Sequence, residues 1–325
     1  MPTAGNHAKA APPVRVNDYD SFAEAYSALS ETSLLNAYYE RPAMLSLAGD
    51  VAGRRILDAG CGSGPLFAAL RDRGALVTGL DSSSGMVELA RRRLGADADL
   101  HVADPRDPLP FADGAFDDVL ASLVPHYVRD WGRTLSEMRR VLRPGGRLIA
   151  SVQHPFVDYA TQDPRPDYHA TTDFTQDWTD LVGQPARMTF WRRPLHAMTD
   201  AFTAAGFHLA VISEPQPDPA ARELYPDAFH DLSTTLCFLF FVLKAPPATG
   251  SVEWRAPAPR RTRSEVQPRR ALRTKPGSWE TWRLAHRTVK QPMWNDSPPA
   301  KCSSFPPPAR AVMSQTMNGV PPMVS

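Results

Sequence analysis

Short apolar runs alternate with amphipathic segments along most of the chain. Apolar residues at helical spacing run from Tyr19 to Leu47 with a break near Ser30 to Ser33, and this pattern predicts two helices. Beyond them, apolar runs that predict strands start at Ile56 and continue at 76–80, 100–102, 119–123, 148–152, 207–213 and 235–243. Amphipathic segments at 66–73, 82–90, 129–142 and 194–205 predict helices between these strands. Strands that alternate with helices predict an α/β fold with a mainly parallel sheet.

Two stretches interrupt this alternation. Residues 153–190 are rich in Pro, Asp, Thr and aromatic residues. Long insertions in compact domains commonly form functional lids, so we expect this region to cover the active site and to bind the substrate. Residues 214–234 show no regular pattern, and we expect an irregular connection to the last strand there.

The two ends of the chain differ from the part between them. Residues 1–18 consist largely of Ala, Pro and polar residues and predict a mobile arm. Residues 246–325 are rich in Pro, Arg and Ser without periodicity and predict a disordered tail. The Arg and interleaved Trp residues of this tail could contact nucleic acid, but a chain end under weak constraint explains the composition more simply. These boundaries predict one structured domain over residues 19–245.

Composition and charge are those of an ordinary globular protein. The chain has 325 residues, of which 42% are hydrophobic and 22% charged. The net charge of +1 hides an uneven distribution, because Lys and Arg are concentrated in the last quarter of the chain. The three cysteines, Cys61, Cys237 and Cys302, form no disulfide or zinc-ligand pattern. Since no signal-peptide core or long apolar segment is found, we expect a protein of the reducing cytoplasm.

The most informative stretch runs from Ile56 to Gly64 and reads Ile-Leu-Asp-Ala-Gly-Cys-Gly-Ser-Gly. Its three glycines allow positive φ angles and close approach of a ligand, while the helix that follows offers free backbone N–H groups. Asp58 is expected at the mouth of this loop, where it would repel phosphate and attract an amino or sulfonium group. A dinucleotide fingerprint needs a glycine where Pro65 stands, and a P-loop needs Gly-Lys-Ser/Thr. The loop is therefore predicted to bind a cationic ligand.

This stretch resembles the first motif of the class I S-adenosylmethionine-dependent methyltransferases, in which an acidic residue precedes Gly-x-Gly-x-Gly. Two further segments resemble motifs of that family, the segment 109–117 (Leu-Pro-Phe-Ala-Asp-Gly-Ala-Phe-Asp) and the segment 139–146 (Arg-Arg-Val-Leu-Arg-Pro-Gly-Gly). The resemblance covers roughly residues 19–245 and is nearest to the ubiquinone and menaquinone biosynthesis methyltransferases. It implies S-adenosyl-L-methionine as the cofactor. It also implies a Rossmann-like sheet of seven mostly parallel strands, with helices on both faces and an N-terminal helical cover.

Acidic residues that follow the predicted strands are candidates for the cofactor site. Asp81 stands about twenty residues after the glycine loop, where a carboxylate can accept hydrogen bonds from ribose hydroxyls. Its alternative role is to cap the next helix. In the resembled family, a side chain at the position of Asp104 binds the adenine amino group, and a turn before Pro105 is the alternative.

The complete set of predicted cofactor-binding residues is Asp58, Gly60, Cys61, Gly62, Gly64, Asp81, Ser82, Met86, Ala103, Asp104 and Ser122. Tyr19, Tyr26 and Tyr39 are further candidates to line the site, because helices ahead of the core lie over the cofactor in the resembled family. Simple packing also explains these tyrosines.

Methyl transfer from a sulfonium mainly requires alignment of the nucleophile, and a general base helps only if the acceptor must lose a proton. His126, Tyr127 and His154 follow the fourth and fifth predicted strands and are the candidates, with structural hydrogen bonding as the alternative. The residues His154, Asp158, Asp163, Asp167 and His169 fit no compact ligand motif, so no metal is predicted. Cys61 is interpreted as a small side chain in a tight turn and not as a nucleophile.

The resemblance implies transfer of a methyl group to a small-molecule acceptor by in-line displacement. The lid and the helical cover suit a compact acceptor, and the domain shows no basic stripe for nucleic acid. Neither nucleic acid nor a membrane is expected as a partner. Three alternatives stay open: a nucleic-acid or protein methyltransferase that docks through the basic tail, a non-catalytic S-adenosylmethionine-binding protein, and a dehydrogenase.

Overall fold

A computed structural model of the protein describes residues 16–178, 182–183 and 186–248. Most of the predicted N-terminal arm and nearly all of the predicted tail lie outside the described residues, so the disorder of both segments and the domain boundaries stay predictions. Within the described ranges, no helix combines the length and the apolar character needed to cross a bilayer.

The described chain begins with helical segments that precede the sheet. A 3-10 turn at Tyr19–Phe22 leads into helix α1 (Ala23–Thr32), and a π-helical turn at Asn36–Glu40 leads into helix α2 (Arg41–Ala48). The two helices predicted from the apolar spacing are confirmed. The π-helical turn was not predicted, because it preserves the helical pattern of the sequence and changes only the backbone hydrogen bonds.

Strands and helices then alternate. The strands are β1 (Arg55–Ala59), β2 (Leu76–Asp81), β3 (Asp99–Val102), β4 (Phe116–Ala121), β5 (Leu142–Gln153), β6 (Thr172–Asp177), β7 (Arg187–Arg192), β8 (His208–Ser213) and β9 (Phe238–Lys244). The helices that follow α2 are α3 (Pro65–Arg71), α4 (Ser84–Leu94), α5 (Trp131–Val141), α6 (Pro155–Thr161), α7 (Leu195–Ala204) and α8 (Pro226–Thr234).

Seven of these strands form one sheet in the order β3-β2-β1-β4-β5-β9-β8. Strands β1 to β5 pair in parallel with one another, whereas β9 is antiparallel to both β5 and β8. The predicted Rossmann-like fold with a mostly parallel seven-stranded sheet is confirmed. The chain order reverses between β1 and β4, and at such a point the carboxyl ends of parallel strands leave a crevice for ligands.

Helices bury both faces of this sheet. On one face, side chains of α2, α3 and α8 pack against Ile56, Leu120 and Phe240. On the other face, α5 and α7 pack against Leu57, Val119 and their neighbours. Because successive strand residues point to opposite faces, Ile56 and Asp58 lie on the α3 side, while Leu57 lies on the α5 side.

Three parts of the chain differ from the prediction. Strand β5 begins at Leu142 and not at residue 148, because Leu142 already pairs with Phe116 across a bulge. The stretch 214–234 was predicted to be irregular but contains α8, whose Phe229 and Leu232 are buried in the core. The insertion 153–190 holds α6 and, together with the strand residues that follow it, the antiparallel hairpin of β6 and β7.

The insertion packs on the N-terminal helices. Trp178 and Phe190 lie in one apolar cluster with Phe22 of the cover. The Asn17 side chain donates to the backbone oxygen of Thr189 and accepts from its N–H, at 3.1 Å and 2.8 Å. These contacts join the cover and the hairpin above the carboxyl edge of the sheet, and they give the insertion a position consistent with the predicted lid.

Candidate active site

The glycine loop connects β1 to α3 and is bound to the neighbouring strand. Gly60 and Cys61 both donate their backbone N–H to the carbonyl oxygen of Leu80, at 2.8 Å and 2.9 Å. Gly60 has a φ of +84°, and a Cβ atom there would lie 2.2 Å from Cγ2 of Val124. Gly62 has a φ of +54° with open space where a Cβ would stand. Glycine at 60 is therefore required by packing, whereas Gly62 exposes its backbone to the crevice.

Asp81 ends β2 and holds the glycine loop in place. Its Oδ2 accepts the N–H of Gly62 at 2.9 Å, and its Oδ1 accepts the N–H of Ser83 at 2.9 Å. Helix α4 is capped by Ser83, whose Oγ accepts the N–H of Met86 at 3.0 Å. The residue that caps α4 is therefore Ser83, and not Asp81 as the alternative interpretation proposed. Burial raises the pKa of Asp81, although the two N–H groups favour its ionised form.

Asp58 lies deeper than the sequence indicated. Its side chain is only 1% exposed, and neither carboxyl oxygen has a hydrogen-bond partner among the described residues. Burial first, and then the negative charges of Glu40 and Asp81, raise the pKa of Asp58 to about 8. The N–H of Phe67 opposes this shift but does not reach hydrogen-bonding geometry. The role of Asp58 in cofactor binding stays a prediction, and the structure places its carboxyl group below the surface of the loop.

Glu40 is a site residue that the sequence motifs did not indicate. It ends the π-helical turn, is 4% exposed, and accepts hydrogen bonds on Oε1 from Ser122 Oγ and Ser151 Oγ, both at 2.7 Å. Ser122, predicted to bind the cofactor, therefore contacts Glu40. Burial raises the pKa of Glu40, against the effect of the two serine hydroxyls. A single acidic residue at the end of an apolar helical segment was the only signal in the sequence.

Asp20 is a second residue that the motifs missed. Its Oδ1 accepts Ser83 Oγ at 2.6 Å and the N–H of Gly85 at 2.7 Å. These bonds attach the N-terminal cover to the first turn of α4, beside Asp81. Hydrogen bonding by Ser83 and Gly85 lowers the pKa of Asp20, so it carries its charge at neutral pH.

At the predicted adenine side of the site, the carboxyl group of Asp104 forms hydrogen bonds within its own turn. Asp104 accepts hydrogen bonds from the backbone N–H and the guanidinium of Arg106. Although burial opposes the change, these bonds lower the pKa of Asp104. Met86 is 2% exposed and packs under α1 with Ala23. These contacts support the turn-forming role of Asp104 and a packing role of Met86, while Ser82 stays exposed at the edge.

The tyrosines of the cover divide into two groups. The hydroxyls of Tyr19 and Tyr127 lie 2.6 Å apart, and the ring of Tyr26 stacks on Trp178 with a centroid distance of 6.0 Å. Tyr39 stacks instead on Phe238 of β9, at 5.6 Å. Tyr19 and Tyr26 thus lie between the cover and the insertion, whereas Tyr39 has the packing role that was its alternative.

The side chains of the candidate general bases are buried or form hydrogen bonds within the fold. His126 is fully enclosed, its Nδ1 accepts the N–H of Gln153 at 3.3 Å, and burial lowers its pKa to about 3. His154 caps α6 by accepting the N–H of Phe156 on Nδ1, and its Nε2 lies 2.8 Å from a carboxyl oxygen of Glu214. Burial raises the pKa of Tyr127 well above its usual range. These contacts favour the structural role for all three residues.

The described part of the chain contains no group of side chains arranged as metal ligands. No three His, Cys, Asp or Glu side chains lie close enough there to hold an ion. The acidic and histidine residues of the insertion that formed a conceivable cluster in the sequence are therefore not brought together by the fold.

Acidic side chains follow the order of the strands across the crevice. Asp104 follows β3, Asp81 ends β2, Asp58 lies in β1, and Glu40 contacts the ends of β4 and β5 through its two serines. Neighbouring strands are about 4.8 Å apart, so an elongated ligand that crosses the sheet edge meets these acids in turn. The guanidinium of Arg41, which favours the charged form of Glu40, donates its hydrogen bond to the backbone oxygen of Ser30. The crevice is thus suited to an elongated, positively charged ligand.

Known proteins match the chain over this part of the fold. Residues 57–150, from β1 into β5, match a family of sequences described as a methyltransferase domain. A solved S-adenosylmethionine-dependent methyltransferase from Mesorhizobium loti superposes with a TM-score of 0.53 at 26% identity, over 66% of this chain and 99% of that one. This part of the chain is a methyltransferase domain. The expected cofactor of the methyltransferase domain, S-adenosyl-L-methionine, is thereby confirmed.

Two curated relatives are similar to parts of this chain. A demethylmenaquinone methyltransferase of Clavibacter sepedonicus is 41% identical over 134 residues, which are 39% of this chain and 54% of that protein. A malonyl-[acyl-carrier protein] O-methyltransferase of Serratia marcescens is 39% identical over 108 residues, which are 33% of this chain and 42% of that protein. The chain spans about half the length of the curated relatives it matches. The predicted similarity to menaquinone-type methyltransferases is confirmed.

Proposed function

We propose that this methyltransferase transfers the methyl group of S-adenosyl-L-methionine to a small-molecule acceptor by in-line displacement. The observation that supports the proposal most directly is Asp58, a buried carboxyl group whose two oxygens have no partner in the described fold and which lies below the glycine loop. A cationic adenosyl amino acid satisfies such a group. The names of the two relatives, whose acceptors are a quinone precursor and an acyl group on a carrier, support a small acceptor moiety.

The chain contributes binding and orientation in this proposal. When bound, the cofactor supplies a methyl group activated by its sulfonium. Asp81 is placed to accept the ribose hydroxyls, and the exposed backbone of Gly62 allows the cofactor to approach the loop. The cover and insertion exclude water from the space between them through the cluster of Phe22, Trp178 and Phe190. Alignment of this kind can supply about 7 to 11 kcal/mol of the barrier.

The acceptor side of the site has a polar group without a partner. Oε1 of Gln153, at the carboxyl end of β5, is buried and receives no hydrogen bond from the described residues. An acceptor with a hydroxyl or amine group could donate to this oxygen while its apolar part lies against the aromatic cluster of the insertion. We therefore expect a compact, partly apolar acceptor with at least one hydrogen-bond donor.

Calorimetry followed by an acceptor panel tests the proposal. The full chain is titrated with S-adenosylmethionine, S-adenosylhomocysteine and a nicotinamide dinucleotide, and only the first two are expected to bind. Hydroxylated quinols, small carboxylic acids, amines, transfer RNA and a basic protein are then offered with the methyl donor, and methylated products are sought by mass spectrometry. Absence of donor binding would contradict the proposal. Donor binding without turnover on any acceptor would favour the non-catalytic alternative.

The alternative of docking through the basic tail rests on residues outside the described part of the chain. Turnover on RNA or protein that falls steeply with salt would support this alternative over a small acceptor. The cytoplasmic location also stays a prediction.

Substitution of His154 by Ala distinguishes a structural histidine from a general base. We expect the free energy of unfolding to fall by about 1 to 3 kcal/mol, because the substitution removes the cap of α6 and the partner of Glu214. Turnover at saturating donor should fall by much less than the roughly 10²-fold loss that follows removal of a general base. Urea unfolding and initial rates measure the two effects. His126→Ala is the matched variant, and a loss of turnover at unchanged stability in either variant would restore that residue as the base.

A further inference from the structure

Glu40 is a buried acid in the donor site to which neither a sequence motif nor the fold assigns a role. It ends a π-helical turn, a backbone form that is often found at functional sites. Ser151 Oγ accepts the N–H of Leu123 at 2.8 Å, so its single hydrogen is available for Glu40. Leu123 itself has a φ of +53°, an uncommon conformation for a leucine. The ends of β4 and β5 are therefore arranged to present hydroxyl donors to the Oε1 atom of Glu40.

These contacts leave part of the carboxyl group available to a ligand. Both serines donate to Oε1, and within the described residues Oε2 receives no hydrogen bond. An asparagine or a water molecule could satisfy the two serines without the free-energy cost of burying a charge. The acid is thus not explained by the needs of the serines alone.

The carboxylates of Glu40 and Asp58 repel each other when both are ionised, and few positive side chains lie close enough to offset this repulsion. The negative charge of Glu40 is the largest influence on the Asp58 pKa after burial. The charged and titratable groups that act on Glu40 are Arg41 and Tyr26, and those that act on Asp58 are Asp81 and Cys61. Of these groups only Arg41 is positive. Two buried acids without a cation between them destabilise the fold unless one is protonated or a positive ligand binds.

The register of the sheet indicates which part of the donor reaches Glu40. Asp58 pairs with Gly79 of β2 on one side and with Leu120 of β4 on the other. Asp81 and Ser122 are each two residues beyond these partners, so they lie on the same face at the sheet edge. If the ribose lies at Asp81, the rest of the donor crosses β1 toward β4, over a distance of about two strand spacings or roughly 10 Å. The end that arrives there is the amino-acid end, which carries an ammonium group.

We propose that Glu40 and Asp58 together bind the ammonium group of the methyl donor, and that Asp58 holds a proton which is released when the donor binds. This inference rests on the proposed function, because it assumes S-adenosylmethionine as the ligand. It adds Glu40 to the donor site as a binding residue and couples donor affinity to pH.

The direction of this coupling follows from the surroundings of the two acids. Burial raises the pKa of Glu40, but two serine hydroxyls oppose this shift, whereas Asp58 has no partner among the described residues and burial raises its pKa to about 8, so that Asp58 is mainly protonated at pH 7. A bound ammonium lowers the pKa of Asp58 and expels its proton. Donor affinity should therefore rise with pH up to about 8, with release of close to one proton at pH 7, and fall at higher pH, where the amino group of the free ligand loses its proton.

Calorimetry in buffers of different ionisation enthalpy measures this proton. The full wild-type chain is titrated with S-adenosylmethionine and S-adenosylhomocysteine at pH 7 and at pH 9.5. Both ligands carry the ammonium group at pH 7, so both are expected to release close to one proton there. At pH 9.5 Asp58 is already ionised and the free ligand's amino group has largely lost its proton, so both ligands are expected to take up a proton on binding. This measurement needs no variant and is therefore independent of any folding defect.

Variants then assign the proton and the contact. Glu40→Gln should weaken both ligands by about 10- to 100-fold, since it replaces a charged hydrogen bond by a neutral one. It should also reduce proton release, because Asp58 loses its negative neighbour. Asp58→Asn should abolish the release. Glu24→Gln is the matched control, because Glu24 lies on the same cover with 74% of its side chain exposed and forms an ion pair with Arg92.

The outcomes separate this inference from the proposed function. Equal affinity and equal proton release in wild type and Glu40→Gln would overturn the inference while donor binding itself stands. Weakening of S-adenosylmethionine alone would also overturn it, because that result assigns Glu40 to the sulfonium. Failure of the wild-type chain to bind either ligand would instead overturn the proposed function. Thermal unfolding followed by circular dichroism shows whether each variant is folded.

Discussion

Replacement of Asp81 by Asn is expected to lower the affinity for S-adenosylmethionine by about 10²- to 10⁴-fold. A carboxylate at this position can accept two hydrogen bonds from ribose hydroxyls, and each charged hydrogen bond contributes about 1.5 to 3 kcal/mol. The substitution also affects the protein, because the two Asp81 oxygens accept the N–H groups of Gly62 and Ser83. An amide has one acceptor oxygen, so one of these N–H groups would face an NH₂ group. The loss therefore combines a missing ligand contact with a less ordered glycine loop.

Isothermal titration calorimetry with donor and product measures this effect. Asp99→Asn is the matched control, since Asp99 begins the adjacent strand β3 at the opposite edge of the sheet and contacts Thr78 and His101. It removes the same charge from the same sheet, and donor affinity should remain close to that of wild type. An Asp81→Asn protein that binds the donor as tightly as the control would show that the ribose lies elsewhere.

Replacement of Asp118 by Asn is expected to destabilise the fold by about 3 to 5 kcal/mol. Asp118 is 0% exposed, and its oxygens accept four hydrogen bonds of 2.5 to 2.8 Å from Arg54 and Arg147. The amide cannot compensate two guanidinium groups, so both would remain partly buried without their counter-charge. Urea unfolding measures the change. Donor affinity should be preserved, because Asp118 lies two residues beyond the start of β4, far from its carboxyl end.

The pH dependence of stability gives a second measurement at Asp118. Burial would raise the pKa of this carboxyl, but the bonds from Arg147 and Arg54 are stronger and lower it. A pKa that is lower in the folded than in the unfolded chain stabilises the fold above the unfolded value of about 3.9. That contribution is lost as the pH falls through the folded value. Wild type should therefore lose stability on acidification below about pH 4, and Asp118→Asn should lose less.

A surface ion pair provides the control for Asp118. Asp113 contacts Arg140 at 2.8 Å, and 82% of its side chain is exposed. Its substitution by Asn should change the unfolding free energy by no more than about 1 kcal/mol, because water screens the pair. A similar loss of stability in both variants would mean that burial does not decide the strength of these contacts.

The glycine loop and the acids at strand ends were predictable because local rules determine them. Gly60 needs a positive φ beside Val124, and an apolar run that ends in Asp81 places a carboxylate at the edge of any parallel sheet. The strand order could be predicted only through the resemblance to a family, since periodicity alone does not say which strands are neighbours. The helix α8 was missed because its sequence begins at Pro226 after a proline-rich stretch, and tertiary burial of Phe229 and Leu232 stabilises it.

By itself, the sequence determined the alternation of strands and helices, the backbone freedom at residues 60 to 64 and the presence of acids where strands end. These properties depend on side chains within a few residues of each other. Only the tertiary structure decided that Asp58 is enclosed, that His126 and His154 are occupied by structural hydrogen bonds, and that Glu40 lies against Ser122 and Ser151. Burial and long-range contacts decide the charge of a carboxyl or an imidazole, and neither can be read from neighbours along the chain.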